Sequence, residues 1–186
     1  MRLASLSLWL YSEAGLPSST TAFLSALFTS SSASLETLHL RLSDSTSESP
    51  LYSTFGLVAS ALRTLVLESA HDAFDGHINL FASCNMLETL ELRFDSWTER
   101  GPAAHPSLPH LRAILDALPS PPILRHLSLD LATPDHAEPI LPLLYHPALS
   151  VLVKLAFPRI SASLASLARR RLAIVCDARG IELSFD

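Results

Sequence analysis

Leu35-Glu36-Thr37-Leu38-His39-Leu40-Arg41-Leu42 and Leu87-Glu88-Thr89-Leu90-Glu91-Leu92-Arg93-Phe94 are near-copies of one octamer. In the first, alternation puts Leu38, Leu40 and Leu42 on one face of a strand and Thr37, His39 and Arg41 on the other. The common core, L-x-x-L-x-L, recurs at Leu3-Leu6-Leu8, Leu62-Leu65-Leu67 and Leu124-Leu127-Leu129. A variant stands at Leu152-Leu155-Phe157. One such hexamer means little, but five copies and a sixth at irregular, comparable spacing exceed what leucine content alone would produce. The chain is therefore an internal repeat.

Outward from each hexamer the sequence changes period. Ser43-Asp44-Ser45, Asp95-Ser96 and Thr133-Pro134-Asp135 supply turn residues after the strands. Helical spacing follows in most gaps. Ser18 or Ser19 caps a helix with Phe23, Leu24, Leu27 and Phe28 as its apolar face. Residues 50–61 offer Leu51, Phe55 and Val58, and residues 107–118 offer Leu108, Leu111, Leu115 and Leu118. Residues 73–85, with Gly76 inside, and 138–145, with two prolines, are poorer helices. A last helix over 161–178 buries Leu164, Leu167, Leu172, Val175 and Cys176, and Gly180 ends it in the left-handed region. Ile181, Leu183 and Phe185 then alternate as a final strand.

One strand per repeat with helices between them requires a parallel sheet with crossovers of one hand. The expected fold class is α/β, a solenoid of about 6–7 parallel strands on one side and helices on the other, forming a single domain over 1–186. Strands are expected near 5–10, 37–42, 64–68, 89–94, 126–131, 154–157 and 181–185, the last helix and strand acting as the C-terminal cap.

Composition narrows the function classes. The chain has 186 residues, 48% of them hydrophobic, and a formal net charge of -5. It is too apolar for disorder and shows no basic face for nucleic acid. Its mean hydropathy of +0.32 suggests that some apolar surface expects a neighbour. Cys84 and Cys176 have no metal-like spacing and form no disulfide framework, which points to an intracellular, cytoplasmic or nuclear location. Leu3 to Leu10 superficially resembles a signal peptide but belongs to the repeat. The greasiest stretch, 139–157, is broken by Pro142, His146, Pro147 and Lys154 and does not span a membrane.

These hexamers, with helices behind them, resemble a leucine-rich-repeat domain. The irregular repeat lengths, the third apolar residue in Leu38-Leu40-Leu42 and the ending Arg171-Leu172-Ala173-Ile174-Val175-Cys176 through Gly180-Ile181-Glu182-Leu183 are more specifically similar to the C-terminal repeat region of fungal, mushroom-type F-box-like proteins. The resemblance covers essentially the whole chain. It implies a non-catalytic protein–protein interaction scaffold, the substrate-recognition part of a ubiquitin-ligase receptor. The sequence departs from the pattern twice. The usual asparagine beyond each strand is replaced by Tyr11, Ser43, Ala70, Asp95 and Ala132. The N-terminal F-box is absent, since Met1 already precedes a repeat strand, so the expectation is a truncated chain or one that has lost ligase docking. A vestigial repeat protein without a ligand is the alternative within this class.

The register places the residues between the leucines on the open sheet face, in three rows. The first runs Ser5, Thr37, Thr64, Thr89, His126, Lys154; the second Ser7, His39, Val66, Glu91, Ser128, Ala156; the third Trp9, Arg41, Glu68, Arg93, Asp130, Pro158. Adjacent members lie about 4.8 Å apart. The alternating signs of the third row read either as a self-neutralising ladder of ion pairs or as a polar patch for a protein partner. The candidate partner-binding residues are Trp9, His39, Arg41, Glu68, Glu91, Arg93, His126 and Asp130.

Catalytic, cofactor and metal chemistry find little support. The chain has only five glycines, and it shows no phosphate-binding loop, nucleophile elbow or H-E-x-x-H. No cofactor is expected, and an enzyme is the remaining reading of another class. His71, Asp72, Asp75 and His77 form the densest group of potential ligands, on a loop where helix capping and solvation explain them. His105 and His110 fall in and beside a proline-rich loop, and Cys176 reads as core. Arg169-Arg170-Arg171 reads as the solvent side of a capping helix rather than an import signal. Leu6, Leu8 and Leu10 would lie on an uncapped edge strand, so self-association through the N-terminal edge is expected.

Overall fold

A computed structural model describes residues 3–10, 18–42, 51–69, 78–94, 108–130, 134–158 and 167–185. Among the described residues seven strands are present: β1 (Ser5–Leu10), β2 (Thr37–Leu42), β3 (Thr64–Ser69), β4 (Thr89–Phe94), β5 (His126–Leu129), β6 (Lys154–Phe157) and β7 (Glu182–Phe185). They form one open sheet in the order β1-β2-β3-β4-β5-β6-β7, and every pair is parallel. Spatial order equals sequence order, as a repeat that adds one strand at a time requires.

The register follows the hexamers. Leu6, Leu38, Leu65, Leu90, Leu127, Leu155 and Leu183 stand side by side across all seven strands. Leu38, Leu65, Leu90, Leu127 and Leu155 are completely or almost completely buried. A shared backbone contact sets this register at the entry of each strand. The carbonyl of Ala4 accepts the N–H groups of Glu36 and Thr37 at 2.9 and 3.0 Å. The carbonyls of Glu36, Arg63, Glu88 and Arg125 each accept two N–H groups from the next strand in the same way. A one-residue slip would break all of these contacts and turn the leucines to the open face.

Helical segments lie between the strands. They are α1 (Ser18–Ser31), α2 (Leu51–Ala59), α3 (Leu108–Ala117) and α4 (Leu167–Ala178), with 3-10 helices over Ile78–Ser83, Pro134–Tyr145 and Pro147–Leu149. Two gaps favour the tighter helix. Pro139 and Pro142 lack the N–H groups an α-helix needs in the Pro134–Tyr145 segment, and Ile78–Ser83 has only six residues. Phe28, Phe55, Val58, Phe81, Ile114, Leu115, Leu144 and Leu172 bring the helical layer onto the leucine face as one continuous core. The serine-rich end of α1 turns its hydroxyls back onto its own carbonyls: Thr29 Oγ1 donates to Ser25 O at 2.7 Å and Ser30 Oγ to Leu27 O at 2.8 Å. Ser34 Oγ then ties this corner to β1 through Leu3 O at 3.1 Å.

Several expectations are corrected in detail. β5 ends at Leu129 rather than 131, β3 runs to Ser69 and β7 starts at Glu182. Phe23 and Leu167, expected on buried helix faces, are 64% and 63% exposed, because Leu24 with Phe28 and Ala168 with Leu172 point to the core instead. Leu164, the asparagine-replacing positions and the His71–Asp72–Asp75–His77 group lie outside the described residues. No helix among the described residues is long and apolar enough to cross a membrane. Gly180 has φ +66 and closes α4 as expected.

Candidate functional site

With the leucines packed on the helices, every intervening side chain of β1–β4 is turned to the opposite face of the sheet. Six of the eight candidate residues meet there. Glu68 on β3 is the centre, its side chain 13% exposed. Arg41 on β2 approaches Glu68 Oε1 at 3.4 Å, and His39 Nε2 lies 3.4 Å from Glu68 Oε2. From the other side Arg93 on β4 comes within 4.0 Å of Glu68 Oε2, while its Nε donates to Glu91 Oε1 at 2.7 Å. Arg41 also lies over the Trp9 ring, 5.5 Å from its centroid, and Trp9 is 72% exposed. The patch therefore runs across four strands, from an exposed indole through stacked and paired guanidinium groups.

The hydrogen bond to Glu91 holds the Arg93 guanidinium charged beyond the ordinary arginine range, and the charges of Glu91, Glu68 and Asp130 add to it. Partial burial opposes this shift and is outweighed. The alternating signs thus do form a neutralising ladder. They also leave Arg41 and Arg93 about two-fifths exposed, with their planar groups held in place. Fixed guanidinium and indole groups lose little conformational freedom when a partner covers them.

The other two candidates are placed differently. Asp130, expected on the open face, is buried at 2% exposure. The chain has left β5 by that point: β4 and β5 pair only as far as Leu92 with Leu129, although the Asp130 N–H still donates to Leu92 O at 3.0 Å. The Asp130 charge still acts on the Arg93 guanidinium. His126 faces the open side but lies in the first row, where its Nδ1 is 3.3 Å from Thr89 Oγ1, apart from the Glu68 network. Beside it Lys154 bonds Glu182 at 2.8 Å, and this bond, with the lysine charge, lowers the Glu182 carboxyl below its ordinary range.

Two polar groups were not anticipated from the sequence. Arg63 Nη1 donates to Glu88 Oε1 at 2.6 Å, on the rim one residue before the first row. The signal lay in Glu36, Arg63, Glu88 and Arg125, whose signs alternate at equivalent positions. On the helical side, His146 accepts the Ala148 N–H at Nδ1 (3.2 Å), so its Nε2 carries the proton toward Asp116 Oδ1 at 2.9 Å. The Ala148 bond caps the short Pro147–Leu149 helix, and the Asp116 pairing has no sequence-local signature. Cys84 and Cys176 are both buried and not joined by a disulfide. Among the described residues no group of three or more histidine, cysteine or acidic side chains could hold a metal ion.

No protein-family model, curated protein or solved structure matches the chain.

Proposed function

We propose that the chain is a leucine-rich-repeat-like solenoid that works as a non-catalytic protein-binding scaffold. Its open face takes the partner through Trp9, His39, Arg41, Glu68, Glu91 and Arg93. The observation that carries the reading is the exposed Trp9–Arg41 stack continued by the Glu68-centred ion pairs across four neighbouring strands. Tryptophan and arginine are the side chains that most often dominate protein interfaces. The resemblance to fungal F-box-type repeat regions makes substrate recognition for a ubiquitin ligase the form of this function to test first. The docking domain would then come from sequence outside these 186 residues or from another subunit.

The test is quantitative affinity capture with the wild-type chain and with the Arg41→Ala/Arg93→Ala double variant. Proteins held by the open face should be recovered at least about tenfold less with the double variant. Its melting temperature should fall by no more than about 12 °C, because the three partly exposed ion pairs lost contribute only about 0–1 kcal/mol each. Identical capture by the two chains would remove the open face as the binding site.

A further inference from the structure

At the rim where the strands begin, Glu36, Arg63, Glu88 and Arg125 precede β2, β3, β4 and β5 with alternating signs. The alternation stops at β6, where Val153 takes the next place. Its N–H donates to Arg125 O at 2.7 Å, and its carbonyl accepts the Glu182 N–H at 2.7 Å. Arg63 takes Glu88 at 2.6 Å, which leaves the exposed Arg125 in no ion pair among the described residues. A second cation, Arg179, leads into β7, two strands away. Its Nη2 donates to Leu149 O at 2.9 Å, and its guanidinium lies over the Tyr145 ring, 5.9 Å from the centroid. Among the described residues it too pairs with no carboxylate: Lys154 takes Glu182 at 2.8 Å, and Asp177, on the turn before Arg179, makes no ion pair with it.

Between the two cations the rim is apolar. Val151 is 42% exposed, Val153 47% and Tyr145 71%, and Ile123, two residues before Arg125, is half-buried. The carbonyl of Leu149 accepts both the Arg179 guanidinium and the Leu152 N–H, the latter at 3.2 Å, so the turn that carries Val151 is fixed against the arginine. A guanidinium held in this way loses little freedom when a ligand reaches it.

Charge and spacing say what fits. Two cations without carboxylates, flanking uncovered apolar side chains, are complementary to a ligand that is acidic at both ends and apolar between. From β5 to β7 is about 10 Å across the sheet. In an extended peptide, residues i, i+2 and i+4 face the same way, and i and i+4 stand about 13 Å apart, a span that two long arginine side chains meet. A membrane surface fits less well, because polybasic anchors gather about 4–8 basic residues. Nucleic acid calls for a basic face, which a chain of net charge -5 does not supply.

We propose that this rim binds an extended segment of a partner protein with the pattern acid–x–apolar–x–acid. One carboxylate pairs with Arg125 and the other with Arg179, and the apolar side chain between them covers Val151 and Val153 beside Tyr145. The last three strands form this site and the first four form the Trp9–Arg93 patch, so it does not depend on what that patch binds.

The test is a titration of the 186-residue chain with the end-blocked peptide Gly-Ser-Glu-Ser-Ile-Ser-Glu-Ser-Gly, followed by backbone amide NMR shifts. Binding should saturate with a Kd of about 1 mM or below, and the amides of Arg125, Val151 and Val153 should shift most. Changing both peptide glutamates to glutamine, or the isoleucine to serine, should each weaken binding by about fivefold or more. Arg125→Glu should do the same without unfolding the chain, since its side chain holds nothing in place. One of the two peptides in which a single glutamate becomes lysine should then bind Arg125→Glu better than the original peptide does. The Arg41→Ala/Arg93→Ala variant should bind the peptide as the wild type does. Shifts that do not saturate by about 3 mM would overturn the proposal, and so would binding that ignores Arg125→Glu or is lost in the Arg41→Ala/Arg93→Ala variant. Capture by phosphatidylserine vesicles that Arg125→Glu abolishes, with no binding of the peptide, would overturn it by giving the rim to a membrane.

Discussion

Glu68 shows how the register of a repeat gathers charges around a single residue. Its neighbours in the row, Arg41 and Arg93, are opposite in sign, so the parallel register alone brings both guanidinium groups to one carboxylate. Cys84 shows the opposite case, a reactive group made inert by its position. Burial pushes its thiol up from 9.0 to about 12. The unfolded chain releases that proton near the ordinary value. Cys84 therefore favours the folded state fully below about pH 9 and progressively less as the pH rises toward 12. The effect is on the order of a few kcal/mol at its largest. Denaturation midpoints measured from pH 8 to 12 should fall more steeply for the wild type than for Cys84→Ala, and a thiol reagent should leave native Cys84 unmodified. Parallel pH profiles, or prompt labelling of the native protein, would contradict this burial.

At the scale of elements, what the sequence revealed depended on how local the cause was. The strands were legible because period-two alternation and exact repetition act within six residues, and Leu38-x-Leu40 or Leu90-x-Leu92 can satisfy only one face. The helix rotations were less so. Phe23 and Leu24 are equally apolar neighbours, and packing of α1 against α2 decides that Leu24 is buried while Phe23 is exposed. The burial of Asp130 was not legible for a similar reason: the strand's end is set by where pairing with β4 stops, and alternation cannot show that. The glycines give an element-scale test in which one chemical change has two opposite signs. Gly56 lies exposed inside α2 and Gly180 at the α4–β7 corner with φ +66; a Cβ would meet nothing within 4 Å at either. Gly56→Ala should stabilise by up to about 1 kcal/mol through helix propensity. Gly180→Ala should destabilise by about 1 kcal/mol, because only its left-handed backbone resists the side chain. Chemical denaturation measures both, and shifts of the same sign would mean that α2 or the corner is built differently.

For the whole molecule, the described helical segments pack on the leucine face of the sheet. The leucine face and the helical layer hold the fold together, while the open face carries the organised polar groups without sharing the core. If the chain is the scaffold proposed above, it should touch its partner on one side only. The most direct test places a photo-crosslinking amino acid in the expressed chain, either at Ser7 or Ser128 on the open face or at Ser60 or Ala82 on the helical side. The account predicts adducts with another protein from Ser7 and Ser128, and few or none from Ser60 and Ala82. Adducts confined to the helical-side positions, or spread equally over both faces, would contradict the claim that the open sheet face is the binding surface.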